Sequence, residues 1–254
     1  MEINYSLSPF TWGIDKVNKA FGKPDKRDLI VLFGYMSSKT EFTYSVARKN
    51  IEQMSVCYIS LELPEYDMKL RIARKSAGIK KIDFQNNFSD NQKAIMEATF
   101  DRLENTPLYI IKPDTSDMLS IDRTMRKHYD IGCRMFVIDN LDKIQDENDN
   151  SRYQQISSAL QDFKNENNCC IILIHHAKKP FNKLQSYMPA GISLRGSQKI
   201  LDNATQVIEI FRDLDPETTD AEKSKVSLFQ YKDTFEANGF AEIYFNKGEY
   251  VDAL

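Results

Sequence analysis

The sequence predicts an α/β fold with a mostly parallel central sheet flanked by helices, and three observations carry that reading. Short apolar runs alternate with longer amphipathic stretches, the pattern of strands and helices wound around a parallel sheet. Runs such as LIVLF at 29–33 and CCIILI at 169–174 are continuously apolar, as suits strands covered on both faces. Several of them end in residues that carry chemistry, and in open α/β sheets that edge is where ligands bind.

In chain order, LIVLF is the first strand, 40–53 a helix and SVCYIS at 55–60 the second strand. Residues 64–77 read as a helix, with Met68, Ile72 and positions 70–73 giving an apolar face. Residues 87–105 form another, opening at the cap candidates Ser89 and Asp90. A strand at 108–111 is closed by Lys112 and Pro113, and a helix at 117–128 leads to the buried strand RMFVI at 134–138, which ends at Asp139. A helix at 153–165 precedes CCIILI, which ends at His175 and His176. Strand-like runs at 206–211, 225–231 and 240–245 complete the set. Residues 1–27 read as a lead-in segment that packs on the core, and 28–254 as one domain without internal repeats. Two segments lack a regular pattern: the acidic QDENDNS at 145–151, and 178–193, with Pro180, Pro189 and Gly191.

Composition narrows the function classes. Of the 254 residues, 41% are hydrophobic and 28% charged, which suits a globular chain and excludes a disordered one. No run approaches the roughly 18 apolar residues that a membrane span requires, and the start, Met1-Glu2-Ile3-Asn4, has no secretory pattern. Cys57, Cys133, Cys169 and Cys170 form no CxxC pair with histidine partners, so they read as small buried hydrophobes in a reducing compartment and not as a zinc site. The formal charge of −3 leaves nucleic acid open, because an assembly needs basic residues only where the strand passes.

The chemistry begins at FGYMSSKTEF, residues 33–42, between a strand and a helix. In the GxxxxGK[ST] phosphate loop, glycines let backbone N–H groups wrap phosphate oxygens at a helix N-terminus, the lysine neutralises the β/γ-phosphates, and the hydroxyl holds Mg²⁺. Here Lys39 and Thr40 take the last two places, with Gly34, Tyr35, Met36, Ser37 and Ser38 as the wrapping backbone. Phe33 and Ser38 stand where glycines are usual. About a hundred residues on, Asp139 ends an apolar strand, as needed to complete a magnesium shell; alone, an Asp at a strand end is more often a turn or cap residue. Glu62, in YISLELP, could polarise an attacking water from its strand end, or simply begin a helix. His175 and His176 end a third strand; one neutral imidazole could contact a γ-phosphate, and as a pair they also suit capping or packing.

Taken in order, these segments resemble the RecA-like motor domain of ring-shaped replicative helicases, the DnaB-like group that includes phage primase-helicases and mitochondrial Twinkle. Ser60-Leu61-Glu62-Leu63 with Arg71 resembles that group's glutamate segment, and Phe136 to Leu141 (FVIDNL) its Walker B strand. His176-Ala177-Lys178-Lys179-Pro180 is similar to its histidine motif. Leu194-Arg195-Gly196-Ser197, Ala204 and IEIFRD at 208–213 resemble the segment leading into its next strand, and Phe245-Asn246-Lys247-Gly248 the close of the last. The resemblance begins at about Trp12 and covers nearly all the rest. It implies ATP and Mg²⁺ as ligands, Glu62 as general base, Lys39 and Thr40 on phosphate and metal, Asp139 in the metal shell, and His176 as γ-phosphate sensor. It further implies a homo-oligomeric ring, such as a hexamer, acting in the cytoplasm (a phage host's included) beside primase or other replication proteins. Lys178, Lys179, Lys183 and Arg195 would track single-stranded DNA through salt-sensitive contacts.

Departures from that pattern point to a second reading. Ser38 replaces a glycine whose conformation costs other residues on the order of 1 kcal/mol. Where the group supplies a Lys-x-Arg finger to the neighbouring subunit, Gln230-Tyr231-Lys232 offers Lys232, which lacks arginine's fork. A hydrolysis-poor binding module, serving as helicase partner, loader or regulator, is therefore the alternative to an ATP-driven helicase. A recombinase or clock-type ATPase is a third reading that the SLEL and HHAKKP segments fit less well.

Overall fold

The computed structural model describes residues 8–35, 38–79, 88–145, 152–177, 198–212, 219, 223–233, 239–246 and 249–253. Its elements are α1 (Asp15–Phe21), β1 (Leu29–Gly34), α2 (Lys39–Asn50), β2 (Ser55–Ser60), α3 (Glu65–Ser76), α4 (Asp90–Glu104), β3 (Leu108–Ile111), α5 (Met118–Asp130), β4 (Cys133–Asp139), α6 (Arg152–Asn167), β5 (Cys170–His176), α7 (Gln198–Asn203), β6 (Gln206–Phe211), β7 (Lys225–Asp233), β8 (Phe240–Asn246) and β9 (Glu249–Val251). A single 3₁₀ turn, Leu141–Lys143, follows β4.

All nine of these strands join one sheet in the order β3-β2-β4-β5-β1-β6-β7-β8-β9. Pairing is parallel from β3 to β6 and antiparallel from β6 to β9. The expected mostly parallel sheet is therefore present, with an antiparallel flank on one side. Side chains alternate between its faces. Ile30, Leu32, Val56, Tyr58, Met135 and Val137 face α2 and α3, in a core that includes Phe42, Val46, Met68 and Ile72. Leu29, Val31, Phe33, Cys57, Phe136 and Ile138 face the opposite way, onto Ile121, Ile156, Leu160, Phe163 and Ile200 of α5, α6 and α7. Burial on both faces explains why these strands read as continuous apolar runs. The four cysteines are free and buried, as expected.

Residues 8–27 share the first of these cores, through Phe10, Trp12, Ile14, Val17 and Phe21. Asn50 at the end of α2 exchanges hydrogen bonds with both backbone groups of Thr11, and the indole of Trp12, 1% exposed, donates to the Gly22 carbonyl at 2.8 Å. α1 has no side-chain cap at Ile14; its first N–H groups, those of Asp15 and Lys16, donate instead to the Asp252 carboxylate. Elsewhere the caps are local. Ser89 and Gln92 form a reciprocal capping box on α4, and Asp117 accepts from the Ser120 N–H on α5. Among the described residues no helix is long and apolar enough to cross a membrane.

Candidate functional site

Sheet register gathers the chemistry. Ser60 pairs with Asp139 across β2 and β4, and Gly34 with His176 across β1 and β5, so β2 ends level with β4 and β1 with β5, at the same edge of the sheet. Strand alternation puts Asp139 on the face of Met135 and Val137, toward α2. There its carboxylate accepts from the Thr40 hydroxyl at 2.8 Å and from the Tyr58 hydroxyl at 2.7 Å. Tyr58 also shares a 3.2 Å contact with Thr43 one turn into α2. Asp139 is 6% exposed, and burial raises its pKa against the lowering effect of the Tyr58 and Thr40 hydrogen bonds. A buried carboxylate with neutral donors has room for a cation's charge.

Lys39 opens α2 at 4% exposure, and its ammonium donates to the Gly34 carbonyl at 2.7 Å, closing the loop on itself. Burial pulls its pKa down to about 8, while Asp139, Asp142, Glu62 and Glu41 act in the opposite direction. Such an ammonium gains more from an arriving polyanion than a solvated one does, because its desolvation is already complete.

Glu62 sits on a turn that its neighbours shape. The Ser60 hydroxyl donates to the Leu63 carbonyl at 2.8 Å, the Leu61 N–H donates to the Asp139 carbonyl at 2.7 Å, and Leu61 is buried. The turn thus pins Leu61 inward and leaves the Glu62 side chain 40% exposed at the same strand edge, 4.0 Å from the His176 ring. That ring, 47% exposed, also meets the Asn140 amide at 3.1 Å. Burial first, and then the Lys39 charge, lower the His176 pKa, which favours a neutral imidazole. Lys39, Thr40, Glu62, Asp139 and His176 therefore meet at one sheet edge, beside Gly34, although they come from distant parts of the chain.

Several neighbours escaped the sequence reading. Glu41, buried on α2, accepts from Arg71 at 2.6 and 3.0 Å and from Lys75, so it ties α2 to α3, the helix that follows Glu62. Burial would raise its pKa, but the two cations outweigh it and hold the carboxylate below its usual range. Ser38 is held from the antiparallel flank: its hydroxyl accepts from Arg212 at 3.2 Å and its carbonyl from the Tyr250 hydroxyl at 3.1 Å.

Two expectations change. Ser38 has φ −77°, outside the left-handed region, so the glycine-replacement cost expected of it does not arise. Phe33 is a fully buried residue of β1, its ring 6.0 Å from that of Tyr231, and so belongs to the core and not to the loop. Lys232 lies on β7, away from this cluster in register, and its ammonium bonds the Leu201 and Asp202 carbonyls at the end of α7, at 2.7 and 2.9 Å. Met36 and Ser37 of the loop, and Lys178, Lys179, Lys183 and Arg195, lie outside the described residues.

Comparison with known proteins supplies the family. The family model for the DnaB-like helicase C terminal domain matches residues 10–249. The chain belongs to the DnaB-like helicase C-terminal domain family. Among solved structures it is similar to an ATPase domain that aligns with a TM-score of 0.85 and 16% identity, over 99% of this chain and 94% of that one. A DnaB-like replicative helicase studied with its interactions with primase aligns with a TM-score of 0.83 and 17% identity, over 98% of this chain and 63% of that one. The RadB recombinase aligns more loosely, at a TM-score of 0.59 and 12% identity, covering 98% of this chain and all of that one. The three share the RecA-like ATPase fold with this family member. No curated protein sequence matches the chain.

One contact at the rim gives a test of how the serine-containing loop is held. Tyr250→Phe removes the hydroxyl from the Ser38 carbonyl while keeping the buried ring packed on Phe42. The Ser38 carbonyl keeps its helical bond from the Phe42 N–H, so a stability loss of about 0.5–1.5 kcal/mol is expected, the net worth of one hydrogen bond, and urea denaturation of the two proteins measures it.

Proposed function

We propose that this chain is the ATP-hydrolysing motor core of a replicative DNA helicase or translocase acting on single-stranded DNA. The observation that carries the reading is the Thr40 hydroxyl on the Asp139 carboxylate beside the buried Lys39 ammonium, with Glu62 and His176 at the same edge. In this reading the backbone of Gly34, Tyr35, Met36, Ser37 and Ser38 cradles the phosphates of ATP, and Lys39 neutralises them. The donor set fits Mg²⁺, a hard cation that takes oxygen ligands and keeps several waters: Thr40 would hold it, with Asp139 accepting from its shell. When bound, the ion supplies charge neutralisation on the phosphates. Glu62 orients the attacking water and takes its proton, and the neutral His176 senses the terminal phosphate. Lys178, Lys179, Lys183 and Arg195 line the nucleic-acid path.

Family membership further supports a homo-oligomeric ring, hexameric in this proposal, in the cytoplasm and in partnership with primase or other replication proteins. Lys232 then acts on the nucleotide of the neighbouring subunit, leaving the α7 carbonyls that it bonds within its own.

The engagement of Lys232 inside its own subunit favours a second reading, a RecA-like binding module that binds nucleotide without useful turnover and serves as helicase partner, loader or regulator. ATPase assays with and without single-stranded DNA, run beside native mass measurements with and without ATP, separate the two. The motor reading expects turnover that rises with single-stranded DNA and ATP-dependent assembly. Assembly without turnover supports the module, and neither assembly nor turnover at high protein concentration ends both.

A further inference from the structure

We propose that Asp142 is a positioning residue that holds His176 against Glu62, and that it does so by standing in for a sheet carbonyl where β4 turns away. The inference rests on the proposed ATPase reading of this site.

The register explains why such a device is needed. β4 and β5 pair as far as Ile138 and Leu173; beyond that point β4 leaves the ladder while β5 runs on to His176. Alternate residues of β5 point their N–H groups to opposite neighbours. The Ile171 N–H donates toward β1, to the Asp28 carbonyl, and the Ala177 N–H likewise, to the Gly34 carbonyl at 3.3 Å. The His176 N–H therefore points to the β4 side, beyond the last paired residues of that ladder. Asp142, in the 3₁₀ turn after β4, fills the gap: its Oδ2 accepts from the His176 N–H at 3.2 Å and lies 3.2 Å from Nδ1 of the fully buried His175. The turn is itself held, because Arg152 at the start of α6 donates to the Leu141 and Asp142 carbonyls at 3.2 and 2.9 Å.

The consequence falls on one side chain. With its N–H fixed, His176 presents its ring between the Asn140 amide and Glu62. Among the described residues, the charged groups facing that ring are Lys39 from the start of α2, Glu62 from the β2–α3 turn and Asp142 from the turn after β4, with His175 beside it on β5. Burial raises the Asp142 pKa, but the His175 hydrogen bond and charge outweigh that effect and keep it an anion, hence a strong acceptor. Asp142 touches no substrate atom in this account; it acts through His176.

The test uses the full chain as Asp142→Ala and Asp142→Asn, with the three histidines labelled in their rings for NMR and His176→Gln to assign its resonance. The proposal expects Asp142→Ala to move the His176 ring resonances and to lower kcat at least about tenfold with KM for ATP within about threefold. Asp142→Asn, which keeps an acceptor oxygen, restores most of both. Unmoved His176 resonances in Asp142→Ala overturn it whatever the rates do. So does a joint loss of stability and ATP affinity that Asn does not rescue, since that is the signature of a merely structural residue. A wild-type chain without ATPase activity would end the motor reading, while the ring resonances would still decide the role of Asp142.

Discussion

Glu62→Gln is expected to lower DNA-stimulated ATP hydrolysis by about 10²–10⁴-fold, the range a positioned general base contributes. The substitution removes only the capacity to take a proton. The turn that presents residue 62 is built by Ser60, Leu61, Leu63 and the Asp139 carbonyl, none of which uses the Glu62 side chain. The amide is isosteric with the carboxylate, and the side chain is partly exposed, so folding and ATP binding should stay near wild type. A kcat/KM comparison with an equilibrium binding measurement separates the two effects. A variant with unchanged kcat would remove Glu62 from the reaction.

Lys39→Ala is expected to act on binding instead. Its ammonium is the desolvated cation of the cluster, and a charge-assisted hydrogen bond is worth roughly 1.5–3 kcal/mol, so ATP affinity should fall on the order of 10- to 150-fold. The fold should tolerate the change to within about 1–2 kcal/mol. Burial already disfavours the charge, which offsets the loss of the Gly34 bond. Titration calorimetry with ATP, beside thermal denaturation of the free protein, checks both halves. Wild-type affinity in the variant would mean that the triphosphate does not lie against α2.

Much of this architecture was legible because parallel strands buried on both faces leave continuous apolar runs and the half-buried antiparallel strands β7 and β8 leave partly alternating ones, and β1 to β8 fall within two residues of the segments so read. Glu62, Asp139 and His176 each ended such a segment or followed one within two residues, while Lys39 and Thr40 opened the helix after the first strand. What could not be read depends on tertiary register. α1 carries no local cap signal, since the carboxylate that receives its first N–H groups is Asp252 at the far end of the chain. β9 is three residues long, too short to alternate, yet it delivers Tyr250 to the Ser38 carbonyl. Asp142 looks like any acidic turn residue until it is known that β4 leaves the ladder before β5 ends. Ser38 misled in the other direction: a missing glycine suggested strain, and the backbone there needs none. The Glu41 pair with Arg71 and Lys75 joins two helices whose packing no spacing rule announces.

A structure of the protein with Mg²⁺ and a non-hydrolysable ATP analogue decides whether one Mg-triphosphate binds where Lys39, Thr40, Glu62 and Asp139 converge. The Lys39 ammonium is expected on the β- and γ-phosphate oxygens, the metal beside Thr40 and Asp139, and Glu62 no more than one water from the γ-phosphorus. An analogue bound elsewhere on the chain, or bound here with Glu62 turned away and Asp139 remote from the metal, would contradict it.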